Sequence, residues 1–365
     1  MNTLIPIQYY IPVYYNILLF FTLLVFFQSN GSAIESSSNL KGKNFFGFLV
    51  LIFTLLYIGL RPLSFRFGDM VIYNIEFQNF LKGGLPKYNK DPLFEFFQYN
   101  MSKTRSAVLF FFLCALFYIY PLYSFSKKMF KDYSFYAFFM LVISLSFFSY
   151  GTNGLRNGIA TSLFLYAISR NNKVVTVLVL VASVFIHKSI ALPILCYILT
   201  FFYNKPRTYL YFWILSIPIS LALGALFQAF FLKLGLIDDE VINTYLGEFN
   251  AANEGVQIKV GFRWDFLLYS ATGVFAGWYF IFKQKFEDKL YLKLFNVYLM
   301  VNGFWILVIR ANYSNRFAYL SWFMVAVIII YPLLKNKFFT NQHQVVARVI
   351  LIYFAFTYLL NVILI

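Results

Sequence analysis

Long apolar runs follow one another along almost the entire length of this 365-residue chain. A helix needs about 20 apolar residues to cross the ~30 Å core of a bilayer, and it satisfies its backbone hydrogen bonds without water. The polar segments between the runs predict twelve spans: 4–28, 44–60, 105–126, 133–150, 153–169, 174–187, 189–203, 208–235, 264–282, 290–309, 317–334 and 345–365. The expected fold is an all-α polytopic membrane protein with about 12 transmembrane helices.

The scarcity of charged residues supports this class. Asp, Glu, Lys and Arg make up 12% of the chain, whereas soluble domains contain about a quarter. No stretch remains for a separate soluble domain, so we expect a single transmembrane domain over residues 1–365.

The basic excess of the chain divides between two sets of connections. Lys and Arg outnumber Asp and Glu by 30 to 14, which gives a net charge of +16. Six short connections carry at least two positive residues each, most of them lysine, and by the positive-inside rule these face the cytoplasm. Membrane lipid headgroups account for this charge. No nucleic-acid partner is expected, because the chain has no basic soluble surface.

The opposite set of connections is marked by arginine. It includes two long extracytoplasmic connections, about 61–104 and 236–263, and turns near 151–157, 187–188 and 310–316. Its six arginines are Arg61, Arg66, Arg156, Arg263, Arg310 and Arg316, and Lys188 lies in one of its turns. Arginine on the face disfavoured for positive charge predicts a multiply charged anionic ligand such as a diphosphate, because guanidinium groups bind phosphate in bidentate fashion.

Arg156 occupies the entry to the fifth predicted span. The segment 151–160 reads GTNGLRNGIA, in which Asn153 is predicted to cap the helix. Free N–H groups at a helix start favour anions, and Arg156 would add a full charge. The alternative is an interfacial arginine that extends to lipid headgroups.

The sixth and seventh spans are unusually short and meet at His187 and Lys188. Residues 174–187 would extend only about 21 Å as a helix. Short or broken spans often mark binding sites in membrane proteins, so these two side chains are expected in a cavity. A neutral His187 could accept a proton. Alternatively, it is a buried histidine hydrogen-bonded to a neighbouring helix.

Two further acidic features have structural and functional interpretations. Asp69 lies three residues after Arg66, so an ion pair is the simpler interpretation, and a catalytic carboxylate is the alternative. The connection 236–263 is long enough to be a mobile lid. Its acidic run 238–240 is predicted to be a solvated turn, not a metal site, because no His or Cys accompanies it.

Three segments carry a resemblance to a known family. They are GLRPLSFRFGDMVIY at 59–73, GLRNGIATSLFLYAIS at 154–169 and LVASVFIHKSIALPIL at 180–195. With them the chain resembles the EpsG/Wzy family of bacterial exopolysaccharide and O-antigen polymerases. Asn157 follows the arginine where many relatives have glutamine.

The resemblance implies an extracytoplasmic glycosyltransferase of the bacterial inner membrane with a GT-C-like architecture, in which short or broken helices surround a central cavity. It implies transfer of a growing glycan from undecaprenyl diphosphate to the non-reducing end of an incoming lipid-linked repeat unit. The implied partners are these lipid-linked donor and acceptor glycans, a chain-length regulator and a flippase.

The chemistry of this transfer suggests roles for the candidate residues. Negative charge develops on the departing diphosphate, and arginines can stabilise it without a metal or other cofactor. We expect Arg156 and Arg316 on the diphosphate, supported by Arg61, Arg66, Arg263, Arg310 and Lys188. His187 would be the base of an inverting displacement, and Asp69 is the alternative base.

Two other functions compete with polymerisation. A transporter or flippase of lipid-linked sugars would also place arginines in a cavity, but it should distribute charge along an access path. The clustering of charge at one face favours an enzyme. An O-antigen ligase shares the donor chemistry and is not separated from a polymerase by sequence alone.

Overall fold

The computed structural model describes residues 5–31, 37–233, 261–311 and 314–363. Its helices are α1 Tyr10–Gly31, α2 Ser37–Gly59, α3 Met70–Leu81, α4 Pro92–Ser102, α5 Ala107–Phe130, α6 Ser134–Val142, α7 Phe147–Thr152, α8 Leu155–Ile168, α9 Lys173–Ile186, α10 Ala191–Phe202, α11 Pro206–Lys233, α12 Trp264–Trp278, α13 Lys289–Leu307, α14 Asn315–Trp322, α15 Val325–Lys335 and α16 Gln342–Tyr358. The acidic run 238–240 and most of the predicted lid lie outside the described residues.

Seven helical segments of the described chain are long and apolar enough to cross a membrane. They are Ile7–Gly31, Gly42–Gly59, Ala107–Val142, Trp264–Lys283, Lys289–Leu307, Arg316–Lys335 and Gln342–Ile363. The expectation of a helical, multi-pass membrane protein is confirmed at this level. Twelve crossings and a GT-C-like architecture stay predictions.

Two predicted segments have a different internal structure. Residues 133–150, expected as one span, contain α6 and α7 with a break between them. At this break the Ser144 hydroxyl donates to the Leu141 carbonyl, a side-chain bond that competes with helix continuation. The connection 61–104 contains α3 and α4. Helix α4 begins at Pro92, because proline suits the first helical position, where no N–H bond is lost.

The chain forms two compact units. One consists of residues 1–191 and 330–365, and the other of residues 192–329. The single transmembrane domain expected from the sequence stays a prediction, and each unit is described by itself.

Helix α5 is central to the first unit, where it packs against α2, α4, α6 and α8. Small residues permit the close packing around it. A side chain on Gly158 of α8 would approach the Tyr150 carbonyl to 2.8 Å and the Tyr118 ring to 3.2 Å. Gly158 thus lets the neighbouring helices α5 and α7 approach the backbone of α8 closely.

The second unit contains a buried polar network. Asn302 of α13 accepts a hydrogen bond from Trp213 Nε1 at 2.7 Å and donates to the hydroxyls of Ser270 and Ser321 at 3.0 and 2.9 Å. Trp322 Nε1 donates to Ser270 at 2.8 Å. These bonds satisfy polar groups that would otherwise be costly to bury, and they join α11, α12, α13 and α14.

We expect Asn302→Ala to destabilise the second unit by about 1–3 kcal/mol, because it leaves the Trp213 N–H buried without an acceptor. The measurement is chemical unfolding of the full chain in a mild detergent. Asn361→Ala is the matched control, since the Asn361 amide bonds the Thr357 carbonyl of its own helical segment; it should cost less than about 0.5 kcal/mol. If the two variants lost equal amounts of unfolding free energy, the network would not stabilise the protein more than an ordinary hydrogen bond does.

Candidate functional site

A buried carboxylate, Asp91, lies at the centre of a polar cluster in the first unit. Its side chain is 3% exposed. Oδ2 accepts hydrogen bonds from Arg156 Nη1 at 2.7 Å and from His187 Nδ1 at 3.0 Å, and Oδ1 accepts from the Lys188 backbone N–H at 3.2 Å. Asp91, Arg156, His187 and Tyr73 are called the Asp91 cluster below. It joins the three segments that carry the resemblance, because Tyr73 lies in 59–73, Arg156 in 154–169 and His187 in 180–195.

The start of α8 places Arg156 in this cluster. Its Nε donates to Tyr73 Oη at 3.2 Å, and its guanidinium carbon lies 5.5 Å from the centre of the Tyr73 ring. Tyr73 is buried and held by Gln98, whose amide donates to the Tyr73 carbonyl at 2.8 Å. The Arg156 side chain is 33% exposed. The guanidinium is therefore held by two hydrogen bonds while part of the side chain remains exposed.

The end of α9 places His187. Its backbone N–H donates to the Ser183 carbonyl, and its extended backbone, with φ −158° and ψ 116°, separates α9 from the helical turn Lys188–Ile190. The expected meeting of two short helices at this position is confirmed. An ionised carboxylate only accepts hydrogen bonds, so Nδ1 carries the proton toward Asp91. In the neutral ring, Nε2 is then the acceptor nitrogen.

The charge of Asp91 is controlled by opposing effects. Burial alone raises the pKa of a carboxyl group, but the hydrogen bond and charge of His187, the charge of Arg156 and the Lys188 N–H outweigh it. The pKa of Asp91 is therefore held below its ordinary value, so the side chain is a carboxylate at neutral pH. Burial also raises the pKa of Tyr73, against the effect of Arg156, so the phenol stays neutral.

A second set of bonds holds the three segments together around the cluster. Asn153 Oδ1 accepts from the Asp69 N–H at 2.8 Å, and Asn157 Oδ1 accepts from the Ser189 hydroxyl at 2.9 Å. The prediction that Asn153 caps α8 is wrong, because Gly154 is the residue before the helix. Gly68 has φ +57°, and a side chain there would come within 2.4 Å of Asn153. Asp69 itself is half-buried at the start of α3.

Arg61 and Arg66 bind backbone carbonyls in the first unit. Arg61 is buried and donates to the Ile58 and Thr152 carbonyls at 2.6 and 3.0 Å. These bonds tie the end of α2 to the end of α7. Arg66 is exposed and donates to the Gln8 carbonyl at 3.3 Å, and its ion pair with Asp69 stays a prediction. Diphosphate binding by these two arginines stays a prediction.

The remaining predicted arginines lie in the second unit. Arg263 makes a bidentate ion pair with Asp265, at 2.9 and 2.6 Å, and stacks 3.6 Å from the Phe266 ring centre. Arg310 is exposed and donates to the Leu221 carbonyl, and Arg316 is an exposed residue at the start of α14. Their convergence with Arg156 on one ligand stays a prediction.

Asp91 was missed by the sequence reasoning, although a local signal was present. An aspartate directly before a proline is a frequent helix start. Here Asp91 directly precedes α4, inside a segment that the sequence predicts to be a connection. The same carboxylate makes no side-chain cap bond and binds Arg156 and His187 instead.

The helices and the Asp91 cluster define the class: a multi-pass helical membrane protein with an arginine, a carboxylate and a histidine in direct contact. The chain belongs to the EpsG family, whose model matches residues 43–365. No curated protein and no solved structure matches it. The family membership supports a role of the polysaccharide polymerase type and confirms the resemblance found in the sequence.

We expect a double-mutant cycle on Arg156→Ala and Asp91→Asn to give a coupling free energy of roughly 1–3 kcal/mol. Arg156→Ala leaves the buried carboxylate without its shortest hydrogen bond, and that loss should largely disappear in the Asp91→Asn background. Unfolding of the four proteins in detergent measures the coupling. Additive losses would show that the ion pair contributes nothing to stability.

The lowered pKa of Asp91 predicts a specific acid sensitivity. Since the folded pKa lies below the unfolded value of about 3.9, the stabilisation is complete above that pH and is lost as pH falls through the folded pKa. The thermal midpoint of the wild type should therefore exceed that of Asp91→Asn at pH 7, and the difference should shrink toward pH 3. Asp132→Asn, at an exposed carboxylate, is the control. A difference independent of pH would refute the prediction.

Proposed function

We propose that this protein is a glycosyltransferase that polymerises oligosaccharide repeat units. It would transfer the growing glycan from undecaprenyl diphosphate to the non-reducing end of an incoming lipid-linked repeat, as an O-antigen or exopolysaccharide polymerase. The observation that carries the proposal is the single carboxylate of Asp91, which binds both Arg156 and His187. It places a partly exposed cation beside an oriented base.

Arg156 would act on the leaving group. Breaking the bond between the anomeric carbon and the diphosphate oxygen leaves an electron pair on that oxygen. A fixed guanidinium stabilises the developing charge without reorganising, because Tyr73 and Asp91 already hold it in place. The accessible part of the side chain retains N–H donors for phosphate oxygens.

His187 would act on the acceptor. As the acceptor hydroxyl oxygen forms its bond to the anomeric carbon, its proton passes to His187 Nε2, and the diphosphate departs from the opposite face. This single displacement inverts the anomeric centre. Asp91 would remain ionised, hold the ring in the correct tautomer and stabilise the imidazolium that forms. Asp91 is thus a positioning residue, and Asp69 stays the alternative base.

The placement of this site in the cell belongs to the same proposal. The lysine-rich connections would face the cytoplasm, and the Asp91 cluster would face the extracytoplasmic side of the bacterial inner membrane. Twelve crossings in a GT-C-like arrangement would surround it. A flippase would supply the lipid-linked repeats, and a chain-length regulator would act with the polymerase.

Genetic complementation tests the proposed function. In a strain that lacks the gene, the wild-type chain should restore a ladder of glycan lengths, and Arg156→Ala and His187→Ala should leave single-repeat glycan. Each loss should correspond to a rate reduced about 10²–10³-fold or more. Asp91→Asn should retain a weak ladder, because an amide still orients the ring. Gels of the glycan and blots of membrane protein give the readout.

Matched controls exist for both residue types. Arg348 is exposed in α16, and His343 is the chain's other histidine; Arg348→Ala and His343→Ala should keep the full ladder. A full ladder with His187→Ala would remove the assigned base. Lipid-linked repeats confined to the cytoplasmic leaflet in the deletion strain would show a flippase instead of a polymerase.

A further inference from the structure

An apolar groove lies in the first unit between α4, α5, α8 and the end of α9. Its volume is about 780 Å³, within the ~300–1,000 Å³ range of small-molecule sites. Leu93, Phe97, Phe117, Ile159, Leu163 and Ile186 contribute to its lining. The lining is almost wholly apolar, so the groove suits a hydrocarbon ligand and not a sugar.

The groove and the Asp91 cluster share three chain segments. Leu93 follows Asp91 by two residues, Ile159 follows Arg156 by three, and Ile186 directly precedes His187. Each of these segments therefore supplies a polar residue to the cluster and at least one apolar residue to the groove. The two sites are contiguous along α4, α8 and α9.

Aromatic contacts connect the two sites directly. The Tyr73 ring, whose hydroxyl accepts from Arg156, packs edge-on against Phe94 with ring centres 5.6 Å apart. Phe94 is part of the groove lining, and Phe97 continues it to Phe117, with ring centres 5.3 Å apart. Ring contacts thus link the side chain that binds Arg156 to the apolar lining of the groove.

We propose that this groove holds the isoprenoid chain of a lipid diphosphate whose diphosphate lies at Arg156. The inference rests on the proposed function and adds to it the place where the lipid is bound. A cation joined to an apolar groove matches an amphiphile with an anionic end. The flat faces of the phenylalanine rings suit isoprene units, which are planar at each double bond.

The bilayer limits what such a groove can contribute. Lipid tails are as apolar as the lining, so a chain gains little by leaving them for the protein, and selection depends on shape and packing. The diphosphate contact at Arg156 would supply the anchor. The groove would orient the chain so that the sugar at the other side of the diphosphate lies near His187.

Binding of prenyl diphosphates of different length tests the proposal. The full chain in phosphatidylcholine nanodiscs is titrated with inorganic diphosphate, geranyl diphosphate and geranylgeranyl diphosphate. We expect the longest probe to bind at least tenfold more tightly than inorganic diphosphate. Leu163→Trp, which fills the groove, should remove that gain and leave inorganic diphosphate binding unchanged. Leu178→Trp, on an exposed face of α9 outside the lining, should keep it.

Each other outcome has a distinct meaning. Equal binding of all three probes, or displacement of the longest probe by an equal amount of phosphatidylglycerol, would overturn the groove proposal and leave the proposed function intact. Binding that survives Arg156→Ala would overturn the anchor and, with it, the assigned role of Arg156. The glycan ladder of Arg156→Ala is measured separately. Its loss would support the proposed function whether or not the groove binds a lipid chain.

A photoreactive probe tests the same proposal on the wild-type chain, so the result does not depend on whether a variant folds. A geranylgeranyl diphosphate analogue with a diazirine at the end of its chain should label peptides from residues 92–121 or 155–168 of the wild type. Inorganic diphosphate in excess should suppress that labelling. Labelling confined to other peptides would overturn the proposal even if every variant failed to fold.

Discussion

The carboxylate of Asp91 is the group on which the architecture of the first unit's polar site depends. A buried carboxylate without partners costs several kcal/mol, so this one must be matched by donors. Arg156, His187 and the Lys188 N–H supply them from the start of α8 and the end of α9. The same bonds hold the guanidinium and the imidazole at fixed positions. The bonds of Asp91 therefore both satisfy a buried charge and position the two side chains proposed for the chemistry.

The residues around this carboxylate form a polar set and an apolar set. Tyr73 and Gln98 extend the hydrogen bonds from Arg156 into the protein. Apolar residues close in sequence to these polar groups on α4, α8 and α9 line an apolar groove together with residues of α5. A lipid-linked diphosphate has both chemical characters in one molecule. Membership of the EpsG family supports a role of the polysaccharide polymerase type.

Part of the site was predictable because its signals are local. A short span ending at His187 and an arginine opening a helix are visible in sequence, and the structure confirms both positions. The role of Asn153 was not predictable, because the backbone N–H of Asp69 competes for its side chain. The sequence does not predict α3 and α4, since their mixed composition lacks the long apolar run of a span.

The sequence by itself determined the class of protein, because hydrocarbon permits few backbone arrangements and the apolar runs leave almost no other choice. It also separated the short lysine-rich connections from a second set that contains six arginines, and its motifs identified the family. Only the tertiary structure decided which groups meet. Asp91 is 65 residues from Arg156 and 96 from His187 along the chain. Such contacts arise from how helices pack, and no local pattern of residues specifies them.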